Sequence, residues 1–151
     1  MSIDDHIIVI ARFNENIEWL YNLIDQESWI QNILIINKGQ NNLKIPNKYI
    51  NIINIIKTKN IGREGETYLS FIINNYKTLP ENLWFLQANP FDHSPDFFDL
   101  MNKTSVDQYI HKNFQTLSYK YNNFIPPNID DDTRFYINNN RVIEYFIDST
   151  T

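Results

Sequence analysis

The chain contains no cysteine, which excludes disulfides, thiolate zinc sites and cysteine nucleophiles together and fits a reducing compartment. No apolar run approaches the ~20 residues that a membrane-spanning helix needs. The opening MSIDDH has neither the basic start nor the long apolar stretch of a secretory signal. A soluble, cytoplasmic protein without a membrane span is the expectation. Positive charge is also scarce: 13 Lys and Arg stand against 18 Asp and Glu, giving a formal net charge of -5 and a pI of about 5.1. That balance argues against sequence-independent nucleic-acid binding, because nothing concentrates cations against phosphate. Glycine occurs only three times. No Walker loop, HExxH or Ser-His-Asp order is present.

What remains is a globular composition. The 151 residues are 42% hydrophobic and 15% aromatic, enough for a single domain spanning 1–151 with a sizeable core. HIIVIA (His6 to Ala11) is a short, β-branched apolar run, which predicts a buried strand. RFNEN breaks it, with Asn14 or Asn16 as cap for a helix carrying Ile17, Leu20, Tyr21 and Ile24 on one face. NILIIN (Asn32 to Asn37) predicts a second strand, Ile52 to Lys57 a third, and Leu83 to Gln87 a fourth. Between the last two, the pattern switches to the helical period, aligning Tyr68, Ile72 and Tyr76, and Leu69 with Ile73. SPDFFDLMNK predicts a helix with Ser94 as cap and Pro95 in its first turn. Toward the end, SVDQYIHKNFQTLSYKY has mixed helical character, FIPPNIDDD reads as a loop, and TRFYINNNRVIEYFI reads as two strands about an Asn-rich turn.

Fully apolar short strands alternating with amphipathic helices predict an α/β fold: a three-layer sandwich of Rossmann-like type, with a mostly parallel sheet and an irregular C-terminal part. Ligands of such sheets lie outside the carboxyl ends of the strands, where strand order reverses. The polar clusters RFNE, NKG, KNIGREG and QANPFDH follow the four strands and are therefore expected on one edge.

Two of these loops carry chemistry on their own. Gly62 and Gly65 flank Arg63 and Glu64 where a strand gives way to a helix. A helix N-terminus exposes unpaired N–H groups and partial positive charge suited to phosphate, and Arg63 adds a two-pronged donor. The same residues also suit a tight turn, with Glu64 and Glu66 favouring the dipole. In QANPFDHSPD, Asp92 and His93 suit Mg²⁺, Mn²⁺ or Zn²⁺, or an acid–base role; Asp92 in an Asx-turn is the structural alternative. Asp130 to Asp132 read as a solvated run or a metal loop. His6 and His111 are isolated and read as structural, and Trp19, Trp29 and Trp84 as core.

The order of these segments resembles the family 2 nucleotide-sugar glycosyltransferases of the GT-A fold. HIIVIARFNENIEWL is similar to their first strand, YNE-type turn and helix. ILIINKGQ takes the place of the second strand, and IIKTKNIGREGETYLSFII that of their N-x-G segment and helix. LWFLQANPFD falls where they carry the strand ending in DxD. The motifs GREGETYL and FLQANPFDH are also similar to those of an uncharacterised family of eukaryotic and viral proteins, and heavy use of Asn, Ile, Lys and Tyr fits an AT-rich genome of that kind. For a viral chain, the expected location is the host cytoplasm.

The resemblance implies a small glycosyltransferase. It would move a sugar from a nucleotide-sugar donor to a glycan or other hydroxyl acceptor, assisted by a divalent metal (Mn²⁺ or Mg²⁺). It sets Arg12, Asn14, Glu15, Asn37 and Lys38 near the nucleotide, and Asn60, Gly62, Arg63, Glu64 and Gln87 near the diphosphate or sugar. Asn89, Asp92 and His93 would hold the metal or the reacting centre, with Asp92, then Asp96, as base. The chain departs from the family at two places. Asn37 and Lys38 replace its second-strand aspartates, and Gln87-Ala88-Asn89 replaces DxD. Two other readings remain open: a binding module of this fold without turnover, and a sugar or phosphate ester hydrolase using Asp92 and His93.

Overall fold

The computed structural model of the protein describes residues 6–109. The Asp130–Asp132 run, His111 and the two C-terminal strands expected from sequence lie outside the described residues.

Four strands form one sheet: β1 (His6–Arg12), β2 (Ile33–Asn37), β3 (Ile53–Lys57) and β4 (Asn82–Gln87). Their order is β3-β2-β1-β4 and every pairing is parallel. The helices are α1 (Glu18–Gln26), α2 (Arg63–Asn75), α3 (Phe97–Met101) and α4 (Lys103–Tyr109). The fold is therefore α/β with a parallel sheet, as the alternation of patterns predicts.

Side chains alternate across the sheet and build two cores. Ile8, Ile10, Ile33, Ile35, Ile53, Trp84 and Leu86 face Leu20, Leu23 and Ile24 of α1, together with Phe97, Leu100, Met101 and Val106 of α3 and α4. On the other face, Val9 and Ile36 meet Phe71 of α2, with Ile7, Leu34, Leu83 and Phe85 partly buried around them. Each fully buried aliphatic side chain contributes about 1.5–3 kcal/mol of transfer free energy. The first core is the larger, so the sheet is anchored mainly against α1, α3 and α4. The pairing of β1 with both neighbours is fixed by this alternation, since a one-residue slip would turn Ile8 and Ile10 to the wrong face.

Local details differ from the sequence pattern in three places. The cap residue of α1 is Ile17, without a side-chain cap bond, although Asn16 Oδ1 accepts the Glu18 N–H at 2.7 Å. Helix α2 turns Thr67 and Phe71 inward and leaves Leu69 and Ile73 exposed, with Tyr76 exposed just beyond its last turn. SPDFFDLMNK is divided: α3 is capped at Asp96 and Asn102 turns extended before α4 begins.

His6 and the tryptophans are structural, as expected. Trp84 Nε1 donates to His6 Nδ1 at 3.1 Å, which fixes that nitrogen as the acceptor, and Trp29 packs edge-on to the imidazole. Trp19 Nε1 donates to the Ala88 carbonyl at 2.8 Å and thereby fixes the chain just beyond β4.

Candidate functional site

Strand order reverses at β1. From there the chain builds outward through β2 and β3, then returns to add β4 on the opposite side. Beyond the carboxyl ends of β1 and β4 their loops diverge, which leaves an opening at this switch point. An open cleft of about 420 Å³ occupies that position. Loops after all four strands contribute to its walls.

The end of β1 supplies Arg12, the loop after it Phe13 and Glu15, and the loop after β2 Lys38. The segment after β3 supplies Asn60, Arg63 and Glu64. Gln87, Ala88, Asn89, Asp92 and His93 form the side belonging to β4. Most residues singled out from the sequence therefore come together. Asn14, Asn37, Gly62 and Asp96 do not line the cleft. Asn37 is buried beneath it, Gly62 caps α2, and Asp96 caps α3. Phe13 lines the cleft and is 44% exposed. Sequence reasoning missed it, although it stands in the middle of the RFNE cluster.

The charged groups differ in how far they are already engaged. Arg12 is only 7% exposed. Its Nε donates to the Glu15 carbonyl at 2.9 Å, and its Nη1 to Asn37 Oδ1 at 3.0 Å and to the Phe13 carbonyl at 3.3 Å. These bonds shape the loop after β1. Asn37 completes the arrangement by donating to the Asn41 carbonyl at 3.1 Å. Lys38 reaches the loop before α2, where its ammonium donates to the Ile61 carbonyl, the Arg63 carbonyl and Glu66 Oε2 at 2.6, 2.7 and 2.6 Å. The Lys38 hydrogen bond, helped by Ser70, holds the Glu66 carboxyl below the ordinary glutamate range. Arg63 is different: it is exposed on the cleft wall, and its guanidinium has no protein partner among the described residues.

Two hydrogen bonds order the acidic side. Gln87 Nε2 donates to Glu64 Oε1 at 2.8 Å, linking the end of β4 to the first turn of α2. Asn89 Nδ2 donates to Asp92 Oδ2 at 2.8 Å, within a 3₁₀ turn over Pro90–Asp92. Where Tyr68 of α2 packs on Phe85 of β4, burial and then the Glu64 charge push its phenol above its ordinary value.

Arg12, Lys38 and Arg63 stand against Glu15, Glu64 and Asp92, so the lining is close to neutral. Such a cleft, rich in amides, carboxylates and one free guanidinium, suits a polar ligand with many hydroxyls. Among the described residues of the lining, Arg63 is the Lys or Arg left without a protein partner to meet the charge of a diphosphate. Among the described residues, no three His, Asp or Glu side chains cluster to hold a metal ion. Asn89, Asp92 and His93 offer an amide oxygen, a carboxylate and an imidazole along one wall. That small donor set fits a Mg²⁺ or Mn²⁺ ion taking its other ligands from substrate phosphates and water.

Fold and site define an α/β protein with a polar strand-end cleft. The chain belongs to the family described as "Protein of unknown function (DUF3431)", whose model matches residues 7–124. Neither the curated proteins nor the solved structures gave a match. No helix among the described residues is long and apolar enough to cross a membrane.

Proposed function

We propose that the protein is a small glycosyltransferase that binds a nucleotide-sugar donor in the strand-end cleft. One observation carries the reading. Loops after all four parallel strands converge on a single polar cleft at the switch point of the sheet, bringing together Arg63, Glu64, Gln87, Asn89, Asp92 and His93. A ligand site is expected there in open parallel sheets, and the resemblance of these segments to GT-A enzymes gives the ligand its class.

In this reading the diphosphate lies against Arg63, where two parallel N–H donors match phosphate oxygens. Amide and carboxylate groups of Gln87 and Glu64 bind sugar hydroxyls. Asn89, Asp92 and His93 would hold a divalent cation, which would supply positive charge opposite the leaving diphosphate. The oxygen of an acceptor hydroxyl attacks the anomeric carbon while the bond from that carbon to the diphosphate oxygen breaks. The hydroxyl proton passes to the Asp92 carboxylate. The nucleoside diphosphate leaves with the electron pair of the broken bond.

A second reading is a binding module of the same fold without turnover. It is favoured by the internal hydrogen bonds of Arg12 and Lys38, which leave Arg63, among the described Lys and Arg of the lining, to face a ligand. Incubation with nucleotide sugars and added hydroxyl acceptors separates the two. Transfer of sugar to an acceptor supports the enzyme. Donor binding with neither transfer nor donor breakdown supports the module, and donor hydrolysis alone, in the presence of acceptors, supports a hydrolase.

A further inference from the structure

Lys38 has surroundings unlike those of a ligand-binding lysine. An ammonium group carries three protons, and here each has a protein acceptor: the carbonyls of Ile61 and Arg63 and the carboxylate of Glu66, at 2.6, 2.7 and 2.6 Å. The side chain is 5% exposed. The two carbonyls bracket a backbone anomaly. Gly62 has φ 66° and Arg63 has φ 53°, and Arg63 is the single non-glycine residue with positive φ among the described residues.

Glycine takes that conformation freely, but a residue with a Cβ is disfavoured in it. Such a conformation persists where neighbouring groups over-determine it. At Gly62 the space is closed as well, since a Cβ there would lie 2.4 Å from the Glu66 Cβ. Glu66 also accepts from Ser70 at 2.7 Å, and Thr67 Oγ1 donates to the Arg63 carbonyl at 3.2 Å. The clamp thus ties the end of β2 to the kink that opens α2, and the kink sets where the Arg63 side chain begins.

We propose that Lys38 is a positioning residue: it holds Arg63 in the left-handed conformation that directs its guanidinium to the cleft, and it does not itself touch the ligand. The affinity consequence rests on the proposed reading of the cleft as a phosphate-ligand site; the backbone consequence does not.

Two measurements test it. First, backbone chemical shifts of ligand-free protein report the conformation of residue 63. They are expected to be left-handed in the wild type and to move toward right-handed helical values in Lys38→Met. Left-handed shifts retained in folded Lys38→Met would overturn the proposal. Should that variant not fold, Glu66→Gln, which removes only the charged partner, is expected to move the same shifts in the same direction; unmoved shifts there would overturn it equally.

Second, inorganic pyrophosphate serves as probe in a double-mutant cycle. Lys38→Met is expected to weaken binding about tenfold or more beside Arg63, a difference of ~1.4 kcal/mol, and to have little effect in an Arg63→Gly background. Equal losses in both backgrounds would put Lys38 on the ligand, and no loss in either would make it merely structural; either result overturns the proposal. Failure of the wild type to bind pyrophosphate would count against the phosphate reading of the cleft, and the shift measurement would still decide the role of Lys38.

Discussion

Gly39 lies so close to Phe13 that a Cβ added to it would come within 1.5 Å of the Phe13 carbonyl oxygen and 2.4 Å of Asn14 Oδ1. The loops after β1 and β2 are therefore in backbone contact, just beyond the point where the Lys38 N–H donates to the Arg12 carbonyl at 2.7 Å. Gly65 is the opposite case: a Cβ there would meet nothing within 4 Å.

The two glycines should respond in opposite directions. Gly39→Ala must push backbone against backbone and is expected to lose ~1–3 kcal/mol, the cost typical of overpacking. Gly65→Ala lies inside α2 and should gain ~0.5–1 kcal/mol through helix propensity. Denaturant melts of both variants check this. A neutral Gly39→Ala would show that the two loops are not pressed together.

Arg63→Gly separates strain from binding. Glycine relieves the positive φ, while the added freedom of its unfolded chain opposes that gain. Net stability should change by no more than ~1 kcal/mol. Affinity for a nucleoside diphosphate should fall by ~1.5–3 kcal/mol, the range for hydrogen bonds to charged groups. Calorimetric titration beside a thermal melt reads both. Unchanged affinity would remove Arg63 from the site.

Asp92→Asn should abolish sugar transfer and leave the fold nearly as stable, because the hydrogen bond from Asn89 is exposed and an amide retains an acceptor oxygen. The checks are a transfer assay and a melt. A large fall in melting temperature would instead mark Asp92 as a residue required by its turn.

The clamp on α2 should be sensitive to acid. Glu66 titrates below its ordinary value in the folded protein because Lys38, and then Ser70, hydrogen-bond its carboxylate. The stability this provides is complete above the unfolded glutamate value, ~4.3. It is lost as pH falls through the lower folded value. An NMR titration of the Glu66 side-chain carboxyl should give a midpoint below that of an unperturbed glutamate. Lys38→Met should bring the midpoint back toward the ordinary value, and an unperturbed midpoint in the wild type would show that the bond is not formed in solution.

Much of this was legible in the sequence. Ile7–Ile10 and Ile33–Ile36 are continuous apolar runs because both faces of those strands are covered, and that continuity predicts a parallel sheet. Turn clusters after each strand then predict one functional edge, which is where the cleft lies. Other features depend on contacts that spacing does not encode. Helix α2 has more than one apolar stripe, and periodicity alone does not choose Phe71 over Leu69 and Ile73; the shape of the sheet at Val9 and Ile36 does. Lys38 looks like a ligand-binding cation in sequence, but the Ile61 and Arg63 carbonyls that engage it come from 23 and 25 residues away. Phe13 carries no signal of its own in the sequence, since a single aromatic in a polar loop is as readily a packing residue as a ligand contact.

Whether the strand-end cleft receives a nucleotide-sugar donor is decided by a thermal-shift screen of nucleoside diphosphates and nucleotide sugars, each with and without Mn²⁺. A ligand at about a hundred times its dissociation constant adds ~2.7 kcal/mol to stability. A donor site in the cleft should give a shift with one class of nucleotide sugar that is larger with Mn²⁺ and is much reduced in Arg63→Gly. The absence of a shift with every one of these compounds would contradict it.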